Sequence, residues 1–123
     1  MASLVVFALG PPRLAAFYQA VTGYSIDHSD TGGFRLRGES ADIFLHAIPE
    51  EIAASIAVTT PPVSREDAAI KPVFDVPSLS NALAAVTEFG GVVTDRSFEY
   101  AGAVLHDVLD TEGNVLQLRW WPK

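Results

Sequence analysis

The chain reads as an α+β protein made of two tandem βαβββ modules that form a cupped mixed sheet. Three observations predict this. The two halves repeat at a spacing of about 65 to 67 residues, as in Ala20-Val21-Thr22 and Ala85-Val86-Thr87 near two helix ends. Each helical segment follows a short apolar run and precedes three alternating strand candidates. The last strand is entered through the tight turn Asp110-Thr111-Glu112-Gly113-Asn114.

Module 1 covers roughly residues 1–48 and opens with the apolar run Leu4 to Leu9, a first strand. A helix follows from Pro11 to Thr22. Pro11 and Pro12 suit its first turn, Leu14, Phe17, Tyr18 and Val21 recur at three-to-four spacing, and Gly23 supplies a left-handed cap. Three strands come next, at Tyr24 to His28, Phe34 to Arg37 and Ala41 to Ile48. They are separated by turns at Gly32-Gly33 and Gly38 to Ser40.

Roughly residues 49–70 read as a linker, with a short helix over Glu50 to Ile56 broken by Thr59-Thr60-Pro61-Pro62. Module 2 covers roughly residues 71–123 and begins with the strand Val73 to Val76. Its helix runs from Ser78 to Phe89, with Ser78 or Ser80 as cap and Leu79, Leu83, Val86 and Phe89 as the apolar stripe. Gly90-Gly91 ends it. The remaining strands are Val92 to Arg96, Ala103 to Val108 and Asn114 to Trp121.

Composition narrows the function. At 123 residues the chain is one domain's worth. Hydrophobic residues make up 49% and mean hydropathy is +0.25, so apolar surface remains after core formation and a homodimer is expected. The net charge of −7 disfavours nucleic acid and anionic membranes as partners and favours cationic ligands. With no cysteine there are no disulfides, thiolate metal sites or cysteine nucleophile. The run Leu4 to Leu9 is too short to span a bilayer and has no basic residue before it, so a cytoplasmic location is expected.

Strand alternation assigns faces. Leu116, Leu118 and Trp120 should face the helices, and Val115, Gln117, Arg119 and Trp121 the cup. Ile43 and Leu45 go to the core, leaving Asp42, Phe44 and His46 in the cup. Phe74 and Val76 go to the core, leaving Lys71, Val73 and Asp75. His106 and Asp107 are adjacent in one strand and so point to opposite faces. His28, beside Asp27 and Asp30, reads as a surface residue. Gly32-Gly33 and Gly90-Gly91 fail the phosphate-loop and dinucleotide spacings.

The βαβββ order, the closing Asp-x-x-Gly-Asn turn and the run Ala16-Phe17-Tyr18 in the first helix resemble the vicinal oxygen chelate superfamily. That superfamily includes glyoxalase I, extradiol dioxygenases and the fosfomycin and bleomycin resistance proteins. The segment Asp42 to Ile48 is most similar to the fourth strand of the bleomycin-resistance branch. In metal-dependent branches each module lends two ligands. The resemblance puts those positions here at Ser3 or Leu4, Phe44, Lys71 and Gln117. Leucine and phenylalanine have no donor atom, serine binds weakly, lysine is a cation and glutamine is neutral where the family keeps a glutamate. No metal and no cofactor are expected.

Phe34 matches an aromatic that looks cavity-facing in the bleomycin-resistance branch. The expected ligand-binding set is Phe34, Phe44, His46, Asp75, Gln117 and Arg119, with Phe7 as a further candidate. An apolar hollow with a few placed polar groups suits a small aromatic or amphipathic ligand. The resemblance therefore implies a small-molecule-binding protein, with antibiotic sequestration as one form, and the balance leans away from an enzyme. The alternative is a glyoxalase- or dioxygenase-type enzyme with a non-standard metal site. A metal-independent isomerase or lyase would need His46 or Asp75 for proton transfer, and a rearranged site would pair His46 with Asp75 or His106.

Overall fold

The computed structural model describes residues 2–64 and 70–122, so residues 65–69 of the expected linker lie outside the described residues. Helix α1 spans Pro11–Thr22, with proline in the first turn where no intrahelical N–H bond is lost. Gly23 ends it at φ 77°, and its N–H reaches the Gln19 carbonyl at 3.0 Å. The short helix α2 covers only Glu50–Ala53, less than the expected 50–56. Helix α3 spans Leu79–Glu88, with the Ser78 hydroxyl accepting the Asn81 N–H at 3.2 Å as its N-cap.

The strands are β1 (Ala2–Ala8), β2 (Ser25–Asp30), β3 (Gly33–Arg37), β4 (Ala41–Ala47), β5 (Val73–Asp75), β6 (Val92–Tyr100), β7 (Ala103–Leu109) and β8 (Val115–Trp120). They form two four-stranded mixed sheets, ordered β1-β4-β3-β2 and β5-β8-β7-β6. Each sheet has one parallel pair, β1 with β4 and β5 with β8, and is otherwise antiparallel. The same order thus occurs twice, as the internal repeat predicts. Strand β6 runs past the expected end at Arg96, because Ser97 to Tyr100 pair with His106 to Ala103 beyond an irregularity between Val93 and Ser97.

The helices α1 and α3 pack on each other, α1 also on β3 and β4, and α3 on β6 and β8. Leu14, Phe17 and Tyr18 of α1 are buried with Leu36, Ile43 and Leu45. Val86, Val108, Leu116 and Leu118 fill the other half. Each such side chain contributes about 1.5–3 kcal/mol by leaving water. The four strands of each sheet therefore present one face to this core and one away from the helices, and the second is the cup face.

Two acidic side chains of the β7–β8 turn tie the modules together. Asp110 is fully buried and accepts the Tyr18 hydroxyl at 2.7 Å, the N–H groups of Glu112 and Asn114 at 2.8 and 3.0 Å, and the Asn114 side-chain amide at 2.8 Å. Burial raises the Asp110 carboxyl above the usual carboxylate range, against the pull of those donors. Burial also lifts the Tyr18 phenol well above its ordinary value, and the neighbouring Asp110 adds to the rise. Glu112 accepts the N–H groups of Leu9 and Gly10 at the start of α1, each at 2.8 Å.

Candidate functional site

The polar centre of the cup face lies in the second sheet. Gln117 in β8 pairs directly with Asp107 in β7 and with Val73 in β5, so the Gln117 and Asp107 side chains share a face. Lys71 lies just before β5 and reaches the same point. Its ammonium lies 2.7 Å from Asp107 Oδ2, and the Gln117 amide donates to Asp107 Oδ1 at 3.0 Å. Asp107 is 1% exposed, whereas the Lys71 side chain is 37% exposed. A buried carboxylate without a partner would be costly, and here both of its oxygens are satisfied.

A cavity of about 360 Å³ opens beside this cluster, lined by Lys71, Thr94, Arg96, Asp107, Leu109 and Val115. Thr94 donates its hydroxyl to the Asp107 carbonyl at 2.6 Å, anchoring β6 to β7. His106 points the other way, as alternation requires, and pairs across β8 with Leu118. Its Nε2 donates to the Thr94 carbonyl at 2.7 Å, which fixes the proton on that nitrogen.

Further along the same face, Arg119 grips Asp75 with two bonds of 2.6 and 3.1 Å. The Trp121 indole N–H adds a third at 3.2 Å, and the Arg119 guanidinium lies 5.6 Å from the Trp121 ring centre. The Arg119 bond, and then the Trp121 bond, hold the Asp75 carboxyl below the usual carboxylate range. Trp120 packs against the core, on the opposite face from Arg119.

The first sheet contributes an aromatic patch. Phe7 of β1 pairs across to His46 of β4, and Val5 to Phe44. The His46 ring lies 6.0 Å from Phe7 and 6.1 Å from Phe44, and its Nδ1 donates to the Ala47 carbonyl at 3.0 Å. Arg35 and Arg37 share this face and are tied to Asp27 at 2.8 and 3.4 Å.

Phe34 requires a correction. It pairs with Leu45, and its neighbour Leu36 with Ile43, so it lies on the helix side and packs against the core. With Leu36 in the core, period-two alternation leaves Phe34 no path to the cup. The remaining candidates fall on cup faces in three groups: Phe44 with His46 and Phe7, Asp75 with Arg119, and Gln117 with Asp107 and Lys71. His46 makes no contact with Asp75 or His106, so the rearranged pairing does not assemble. Sequence reasoning missed Asp107, Thr94 and Arg96 as site residues. The available signal was Asp107 itself, a carboxylate inside the apolar strand Ala103–Leu109, which must have a partner.

Side chains at the family's ligand positions do not fit a divalent cation. Strand register puts Ser3 on the cup face and Leu4 on the core side. Phe44 offers hydrocarbon, Lys71 an ammonium and Gln117 an uncharged amide whose N–H is given to Asp107. Among the described residues no group of three His, Cys, Asp or Glu side chains converges on a point that could hold a metal ion. No described helix is long and apolar enough to cross a membrane.

Residues 3–118 match the family model described as a glyoxalase-like domain. No curated protein matches the chain. Among solved structures, a glyoxalase/bleomycin resistance protein/dioxygenase family enzyme from Burkholderia phytofirmans PsJN superposes with a TM-score of 0.73 at 18% identity, over 98% of this chain and 97% of its own. A glyoxalase/bleomycin resistance protein from Albidiferax ferrireducens T118 gives 0.73 at 15% identity, over 99% and 98%. A genomically encoded fosfomycin resistance protein from Listeria monocytogenes gives 0.70 at 9% identity, over 99% and 93%. At these identities the likeness extends to the fold.

Proposed function

The chain belongs to the glyoxalase-like domain family of the vicinal oxygen chelate superfamily, and on that premise we propose that it is a metal-independent small-molecule-binding protein. One observation carries the reading. Lys71 and Gln117, which stand at two of the family's ligand positions, converge on Asp107 as an ion pair and a hydrogen bond. A lysine ammonium bound to a buried carboxylate fills the charge requirement of the site internally. A divalent ion placed there would meet a fixed positive charge.

The ligand is held on the cup faces, with Phe44 and His46 on one sheet and Asp75, Arg119 and Gln117 on the other. Sequestration of an aromatic or amphipathic compound, an antibiotic among the candidates, is the function this supports. Proteins of the same fold that are named for bleomycin and fosfomycin resistance support an antibiotic as a candidate. Val5, Phe7, Ile70 and Val73 are exposed apolar side chains, which supports a homodimer.

The test joins two measurements. Protein expressed with zinc, nickel, manganese and iron supplements, and purified without chelator, should carry well under one metal ion per chain by elemental analysis. A thermal-shift screen of antibiotics and aromatic metabolites should find stabilising compounds whose binding weakens in Phe44→Ala. About one tightly held divalent ion per chain would instead favour a glyoxalase- or dioxygenase-type enzyme.

A further inference from the structure

We infer that the cavity beside β8 binds the carboxylate of an organic acid between Lys71 and Arg96, with the acid's hydrocarbon body against Leu109 and Val115. This rests on the small-molecule-binding reading and names the chemistry of its ligand. The cavity of about 360 Å³ is large enough for a compact aromatic acid.

Charge accounting on the cup faces singles out this place. Arg35 and Arg37 are tied to Asp27, and Arg119 to Asp75. Arg96 lines the cavity and has no carboxylate partner among the described residues. Among the described residues the charged groups on the cavity wall are Lys71, Arg96 and Asp107, so one positive charge remains among them after pairing. Lys71 has three N–H donors and gives one to Asp107, leaving two for an incoming oxyanion. Asp107 is buried and bonded to Gln117 as well, so it fixes the ammonium in place before any ligand arrives. Leu109 and Val115 pair across β7 and β8 on this face and form the apolar floor.

The local field thus opposes the molecule's overall charge of −7, which by itself favours cations. Binding selectivity separates the two. The probes are 2-naphthoate, its neutral isostere 2-naphthamide and the cation 2-naphthylmethylammonium, titrated into the full chain at constant ionic strength. The readout is the 1H–15N spectrum, followed at the Gln117 side-chain amide and the Thr94 and Arg96 backbone amides. The expected result is saturable shifts at these three groups, with naphthoate at least about tenfold tighter than naphthamide and the cation weakest. Arg96→Gln should weaken naphthoate by about fivefold or more and leave naphthamide unchanged. Lys71→Met should erase the preference for the acid. Where that variant fails to fold, Lys71→Met/Asp107→Asn removes both charges together and should cut the preference to what Arg96 alone supplies, about threefold.

Naphthoate binding no tighter than naphthamide, or a preference undiminished in both Arg96→Gln and the double variant, overturns the inference. If all three probes bind equally on the cup faces, the carboxylate assignment fails while the small-molecule reading stands. If none binds and the antibiotic screen is also empty, both fall.

Discussion

Glu112 caps the helix of the other module: its carboxylate accepts the N–H of Gly10, the N-cap residue of α1, at 2.8 Å, and that of Leu9 at the same distance. Glu112 itself lies over 100 residues later in the chain and is buried. Two requirements meet there. The first N–H groups of a helix have no intrahelical partner, and the helix dipole favours a negative charge beside them. Glu112→Ala should lower unfolding free energy by about 2–3 kcal/mol, since two half-buried donors lose their acceptor. Glu112→Gln keeps one acceptor oxygen and should cost about half as much. Urea unfolding decides this, and an alanine variant within about 0.5 kcal/mol of wild type would show that solvent replaces the cap.

Tyr18 and Asp110 set an alkaline limit. Burial raises the Tyr18 phenol pKa, so the folded chain keeps a proton that the unfolded chain releases above about pH 10. An acid whose folded pKa is raised contributes stability fully present below its unfolded pKa, and that stability is lost as pH climbs past it. Wild-type stability should therefore fall as pH rises past about 10, and Tyr18→Phe should show a shallower decline there. At neutral pH the same variant should be about 1–3 kcal/mol less stable, because Asp110 loses one of four donors. Parallel slopes for the two proteins would remove Tyr18 from the explanation.

The glycine doublet Gly32-Gly33 separates a required position from a permissive one. Gly33 has φ 150°, and a Cβ built there would lie 1.8 Å from the Leu45 carbonyl oxygen in the neighbouring strand. Gly32 would meet only the Asp30 side chain, at 3.2 Å. Gly33→Ala should cost about 3 kcal/mol or more by prying β3 from β4, and Gly32→Ala under about 1 kcal/mol. Comparing thermal midpoints tests the pair, and equal losses would contradict this account.

Most of the fold was legible because local signals agreed with one another. Pro11, Gly23, Ser78 and Gly90 bound the two helices, and α1 begins and ends where those residues require. Alternation placed Ile43, Leu45, Phe74, Leu116 and Leu118 in the core. Phe34 was misplaced because a resemblance outweighed the Phe-Arg-Leu-Arg alternation, which puts Phe34 on the same face as Leu36, the residue the structure buries. The centre of the site was harder to see. Asp107 finds its ammonium 36 residues earlier in the chain, a distance no local pattern spans. Its pairing with Gln117 depends on the register of β7 against β8, which turn chemistry fixes and composition does not.

Two ion pairs on one sheet face should differ sharply in what they contribute. Asp75 and Arg119 have side chains 57% and 38% exposed, so water competes for both and the pair is worth about 1 kcal/mol or less despite its two short bonds. Asp107 has a side chain 2% exposed. Removing its partner leaves a buried carboxylate whose remaining side-chain donor is Gln117, at a cost of about 3 kcal/mol or more. Lys71→Ala should therefore destabilise the protein several times more than Arg119→Ala. Adding Asp107→Asn should recover much of the Lys71→Ala loss, since an uncharged amide there has no ammonium to miss. Denaturant unfolding of the three variants gives the comparison. If Lys71→Ala and Arg119→Ala cost the same, Asp107 is hydrated in solution, and the internal cation could no longer substitute for a metal.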